Sequence, residues 1–152
     1  MKGRARYVIM AGIIAAACSI AAPVARADVD PALKQRFETL STQGNSTCSR
    51  AFAESIPKMP ANAGLRGSCR SPMDLKRYGG QIEGLKKYTK VEEVPPDPYD
   101  IQAGLAQKLL EYDKIVLTPA QQAAYDYAMQ HSEEHGPCCC HCWRWHVYGG
   151  LA

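Results

Sequence analysis

Residues 131–150 read HSEEHGPCCCHCWRWHVYGG. The stretch holds all four histidines of the chain, His131, His135, His141 and His146. It also holds four of the seven cysteines, Cys138, Cys139, Cys140 and Cys142, with Trp143 and Trp145 directly behind them. Its first residues continue a helical pattern and Pro137 interrupts that pattern. The expectation is therefore a mainly α fold: a small helical domain whose last helix delivers the chain into an irregular Cys/His-rich C-terminal segment.

If the segment after Pro137 is extended, side chains alternate and Cys138, Cys140 and Cys142 share one face. Cys139, His141, Trp143 and Trp145 then share the other. Three thiolates on one edge suit a soft ion, with one more ligand completing a tetrahedron. His131 and His135, four apart on a helix, lie on one face and can supply that ligand, as can His146. The candidate metal ligands are thus Cys138, Cys140, Cys142, Cys139, His131, His135, His141 and His146, and the candidate ions are Cu(I) and Zn(II). The tryptophans read as a core-facing edge and Arg144 as solvated. No Ser-His-Asp set, phosphate-cradling glycine loop or basic stripe accompanies them, so no catalytic residue is assigned.

Working upstream, proline and a capping side chain mark each helix start. Asp30-Pro31 opens a helix with Leu33, Phe37 and Leu40 at helical spacing. A second is expected over 46–56, with Cys48, Phe52 and Ile56 on one face. Residues 57–67, with two prolines and two glycines, read as a loop. Ser71-Pro72 should start a third helix reaching Lys87, with Gly79-Gly80 as a weak point. Residues 91–98 read as a linker. Asp100 is placed to cap a helix whose stripe is Ile101, Leu105, Leu109 and Tyr112. Thr118-Pro119-Ala120-Gln121 is a capping box, with Ala124, Tyr125, Ala128 and Met129 facing a core. No long alternating strand is expected.

Lys2, Arg4 and Arg6, an apolar run from Tyr7 to Val24, and Ala25-Arg26-Ala27 read as an export signal cleaved after residue 27. This gives an expected division into leader (1–27), helical domain (28–130) and metal-binding segment (131–152), located in the periplasm or outside the cell. A lipid anchor at Cys18 is the lesser alternative. Removing Lys2, Arg4, Arg6 and Arg26 takes the 18 basic side chains to 14 against 15 acidic, so a net charge of +3 becomes −1. The basic balance belongs to the leader and is no argument for nucleic acid, and no nucleic-acid partner is expected. No membrane span is expected after cleavage. Cys48 and Cys69, the other mature cysteines, are expected to form a disulfide worth about 3 kcal/mol by chain entropy, the alternative being that they act as distant ligands.

Pro137-Cys138-Cys139-Cys140-His141-Cys142 resembles the Pro-Cys-Tyr-Cys-Gly-Cys motif of the PCYCGC-motif family of exported proteins. The helix Leu117 to Ala128 is similar to the one that leads into the motif there. The resemblance implies an extracytoplasmic location and Cys138, Cys140 and Cys142 as the shared positions. Here Cys139 and His141 replace Tyr and Gly, and the ligands carried by later cysteines in that family would have to come from the histidines. The functional expectation is soft-metal binding for storage, delivery or detoxification. Its partners would be a metal ion and, second, another exported metal-handling protein. The alternatives are a thiol-disulfide protein using Cys139 and Cys142, and a module whose tail is held by zinc or disulfides.

Overall fold

The computed structural model describes residues 29–132, 135–138 and 140–152. The export signal and Cys18 lie outside the described residues, as does Cys139. Among the described residues, six α-helices, two 3₁₀ turns and one two-stranded sheet make up the regular structure, so the fold is mainly α as expected. No helix among the described residues is long and apolar enough to cross a membrane.

Local chemistry sets the helix starts. The helix α1 (Pro31–Thr42) begins where the Asp30 carboxylate accepts the Ala32 N–H at 2.9 Å. Ser49 caps α2 (Arg50–Ser55) by accepting from the Phe52 N–H. This starts the second helix later than its periodicity suggests and leaves Cys48 just ahead of it. A 3₁₀ turn, Ile56–Lys58, carries the chain on to β1 (Gly64–Arg66). The third helix, α3 (Leu75–Leu85), is capped by Asp74, which accepts from the Arg77 N–H at 2.7 Å. It therefore starts three residues beyond Pro72, and it runs through Gly79-Gly80 unbroken.

The expected cap at Asp100 is corrected. Residues Asp100–Gln102 form β2, antiparallel to β1, with Leu65 opposite Ile101 and both fully buried. The Asp100 carboxylate pairs with Arg36 and Arg66 instead. The helix α4 (Ala103–Tyr112) follows β2 directly. Its first N–H groups, on Ala103 and Gly104, donate to the carbonyls of Ala63 and Ala61, so the sheet's own approach loop satisfies the donors that a helix start leaves unpaired.

The helix α5 (Pro119–His131) shows the capping box from both sides: Thr118 accepts from Gln121 N–H and Gln121 accepts from Thr118 N–H. The expected core face on it is not found. Ala124 and Ala128 are exposed, Tyr125 and Met129 are half-buried, and the helix contributes no buried residue. The last helix, α6 (Trp143–Gly149), occupies a stretch expected to be extended. Helical geometry brings Trp143 and Val147, four apart, onto one buried face; Trp145 is only half-buried.

The core is built from Ile56, Leu65, Ile101, Ala106, Leu109, Cys142, Trp143 and Val147, and Phe52 tilts against Trp143 with ring centroids 5.9 Å apart. Each fully buried large side chain here contributes about 1.5–3 kcal/mol. The C-terminal helix thus belongs to the core and rests on α4. Gly150 marks the closest approach: a Cβ there would lie 1.9 Å from the Leu109 carbonyl oxygen. Gly150→Ala is expected to cost about 3 kcal/mol by overpacking, lowering the thermal midpoint by about 10 °C. Gly80→Ala, whose Cβ meets nothing within 4 Å, should raise stability by about 0.5–1 kcal/mol in the same melting experiment.

Candidate metal centre

Four thiols converge beside this core. The Sγ atoms of Cys48, Cys69, Cys140 and Cys142 all lie within 4.8 Å of one another, and they form the metal-competent group among the described residues. Cys48 sits just before the cap of α2. Cys69 follows β1 by three residues. Cys140 and Cys142 come from the C-terminal segment, where the Cys142 N–H donates to the Cys140 carbonyl at 2.8 Å in a tight turn. That turn brings both of their sulfurs to the cluster. Cys142 then stands at the N-cap of α6, and its carbonyl accepts the Trp145 N–H.

The spacing can be set against metal chemistry. A tetrahedral zinc with bonds of about 2.3 Å separates its sulfurs by about 3.8 Å. The Cys48–Cys140 and Cys69–Cys142 contacts are both 3.7 Å. The Cys48–Cys69 contact is shorter, at 2.9 Å. The disulfide expected between these two is not formed, since a disulfide bond is only about 2.05 Å long. Both thiols belong to the four-sulfur group because Cys140 and Cys142 reach the same point from the far end of the chain.

Electrostatics at the four sulfurs are uneven. Burial pushes the Cys48 thiol up, and hydrogen bonds with Cys69 and Cys140 add to the effect. Burial also raises Cys69, although the bond from Cys48 and the charge of Arg144 oppose it. At Cys142 burial again disfavours the thiolate. There, however, a backbone hydrogen bond from Arg144 joins those from the Cys140 and Cys69 thiols, and together they bring it below the ordinary range. Ligands must be deprotonated to bind, so a metal entering here replaces protons shared among the thiols.

Arg144, read from the sequence as solvated, is 4% exposed. Its guanidinium donates to the carbonyls of Pro98 and Gly67 and to the Tyr148 hydroxyl, and it lies over the rings of Trp143 and Tyr99. Burial pushes Tyr148 up to about 12, so its hydroxyl keeps the proton that it donates to Pro98. Gly67, at φ +76°, turns the chain towards Cys69, and a side chain there would meet the Leu40 carbonyl. Arg144 therefore fastens the Cys69 loop to the helix that Cys142 caps, and it holds a buried positive charge beside the sulfurs.

The remaining sequence candidates fall elsewhere. Cys138 lines a cavity next to the cluster and is not one of the four convergent sulfurs. His131 is exposed, stacks on Tyr127, and its Nδ1 lies 2.8 Å from that residue's carbonyl oxygen. His135 is exposed with φ 50°. His141 packs edge-on against Trp145. The Nδ1 of His146 lies 2.8 Å from an Asp113 carboxylate oxygen. None of the four histidines joins the sulfur group. The extended-strand argument fails because the chain bends at Cys138 and turns tightly between Cys140 and Cys142, so their side chains do not alternate. Cys48 and Cys69 join the group in the role weighed as the alternative to their disulfide, that of distant ligands, and the sequence signal for it is that two sulfurs spaced Cys-x-Cys need distant partners to complete a tetrahedron.

Two outcomes follow. Arg144→Lys keeps the charge and loses the fork between Gly67 and Pro98, so it should cost about 2 kcal/mol in denaturant unfolding and weaken metal retention. Treating the metal-free protein with hydrogen peroxide, which gives one disulfide and two waters, should oxidise Cys142 first, since its thiol is the one drawn towards the thiolate, and join it to Cys69, whose sulfur lies 3.7 Å away. Peptide mapping reads out the bond, and prior metal loading should suppress it.

Comparison of the chain with protein-family models, with curated proteins and with solved structures gave no match.

Proposed function

We propose that this chain is an exported soft-metal-binding protein that holds Zn(II) or Cu(I) through Cys48, Cys69, Cys140 and Cys142 and serves metal storage, delivery or detoxification. The observation that carries the proposal is the convergence of four sulfurs within 4.8 Å. Four ligands favour Zn(II), whose closed sites are tetrahedral, over Cu(I), which is content with two or three sulfurs. A closed four-sulfur set leaves no position for water or substrate, which speaks for holding a metal over catalysis with it. The PCYCGC-motif resemblance and the leader support an extracytoplasmic setting.

A second reading, that the metal only fastens the fold, draws on the position of the cluster. Cys142 is part of the core, and Cys48, Cys69 and Cys140 pack against it. The thiol-disulfide reading is weaker, because Cys142 is engaged with the other sulfurs of the cluster.

The deciding experiment is elemental analysis with a thiol count on residues 28–152, followed by replacement with Co(II), whose tetrahedral thiolate spectrum reports the ligand set. One ion per chain and four protected thiols are expected. Cys48→Ser and Cys69→Ser should each abolish stoichiometric binding, whereas Cys138→Ser should retain it. Substoichiometric metal in the wild type, or full binding after Cys48→Ser, would sink the assignment. Chelation that removes the metal without changing the melting midpoint favours the carrier role, and chelation that unfolds the domain favours the fastening role.

A further inference from the structure

Two imidazoles that the sulfur group does not use, His131 and His135, lie at the C-terminal end of α5, and both are exposed. The Nδ1 of His131 is 2.8 Å from the Tyr127 carbonyl oxygen, and that of His135 is 3.3 Å from the Gln130 carbonyl oxygen. A carbonyl only accepts, so each Nδ1 carries the proton, and in the neutral ring each Nε2 keeps its lone pair. Among the described residues neither Nε2 has a hydrogen-bond partner. A histidine that binds metal has this arrangement, with its other nitrogen fixed by a carbonyl or a carboxylate. Tyr127 and Gln130 are three apart on α5, and residues at that spacing are surface neighbours, about 5–6 Å apart at Cβ. The two rings are therefore tethered to adjacent points of one helix end. His131 is held further by stacking on Tyr127, with ring centroids 3.9 Å apart. His135, at φ 50°, lies in the turn after the helix, from which its ring reaches back. Charge favours a cation here: a helix C-terminus is partially negative, and residues 115–143 contain Asp126, Glu133 and Glu134 but no lysine or arginine.

We propose that His131 and His135 form a second metal site, separate from the four sulfurs, which takes a divalent ion that favours imidazole nitrogen: Zn(II), Cu(II) or Ni(II). Both rings bind through Nε2, and water fills the remaining positions. Capping of the last carbonyls of α5 accounts for the two Nδ1 atoms, but it gives the two Nε2 atoms nothing to do. A metal site uses both nitrogens of each ring, since the bond that caps the helix also fixes the tautomer that binds. The two sites differ in kind. The sulfur set is closed and sits against the core, whereas the histidine pair is exposed and keeps open positions, so its ion exchanges readily with solvent. The histidine site stands independently of the reading given to the sulfurs.

The test loads the protein with one equivalent of Zn(II) to occupy the sulfurs and then titrates it with Ni(II), followed by calorimetry and absorption. One further ion per chain is expected. His131→Gln and His135→Gln each keep an N–H for the helix carbonyl and remove the nitrogen that binds metal. Each should weaken Ni(II) binding by about tenfold or more, since losing even an outer-shell partner of a ligand costs about that much. The melting midpoint should stay unchanged, which separates a metal ligand from a cap. His146→Gln should bind as the wild type does. No further ion in the wild type overturns the proposal, as does wild-type affinity in either His131→Gln or His135→Gln, and so does an equal loss in His146→Gln. Nickel held by thiolates shows intense sulfur-to-metal charge-transfer absorption that imidazole coordination lacks, so the sulfur site is read separately. If all bound nickel shows that absorption, the ion has gone to the sulfurs and the histidine site is overturned. If that absorption accompanies a further equivalent that His131→Gln removes, the histidine site stands and the sulfurs have failed to retain zinc.

Discussion

Four thiols held within 4.8 Å cannot all ionise beside an apolar core unless a cation joins them. Each thiolate raises the cost of the next, and partial burial raises the cost of all. The metal-free cluster resolves this by sharing protons: Cys48 and Cys69 are pushed towards the thiol, and Cys142 is drawn towards the thiolate by the hydrogen bonds around it. A metal ion resolves it differently, by supplying the charge that the protons supplied. The rest of the structure can be read as the apparatus that keeps four sulfurs at this distance.

That apparatus is mostly backbone. Gly67 turns the chain towards Cys69, Ser49 stops α2 from swallowing Cys48, and Cys142 ends the irregular segment by starting α6. Arg144 joins two of these pieces by holding the Gly67 and Pro98 carbonyls. A buried guanidinium that satisfies carbonyls on two loops is costly to lose, because its removal leaves both carbonyls short of a donor. Its charge would also offset the excess negative charge that four thiolates leave on a divalent ion. The same residue borders the cavity next to Cys69.

Much of the fold was legible because helix starts are local events. Asp30-Pro31 and the Thr118–Gln121 box each need only a side chain and the first turn of backbone, and both appear as read. The errors are of one kind. Asp100 looked like a cap and is a strand residue, because its carboxylate is claimed by Arg36 and Arg66 from elsewhere in the chain. The apolar positions of α5 looked like a core face and are not one, because periodicity records amphipathic character and not whether a partner surface lies opposite. Arg144 looked solvated because a lone arginine between two tryptophans carries no local sign of the carbonyls that it will meet.

The sequence by itself determined that this is a mainly helical chain with a thiol-rich end; it grouped Cys138, Cys140 and Cys142, of which the structure brings the last two to the cluster. Only the tertiary structure decided which sulfurs complete the set. Cys48 is 92 residues from Cys140, and Cys69 is 73 from Cys142. No local propensity acts over such distances. The packing of α6 against α4 and the sheet, with Arg144 holding the Cys69 loop, selects those partners over the nearer histidines. Nearness along the chain gave the histidines no advantage: His131 and His135 sit against backbone carbonyls at the end of α5, His141 packs on Trp145, and α6 carries His146 to Asp113.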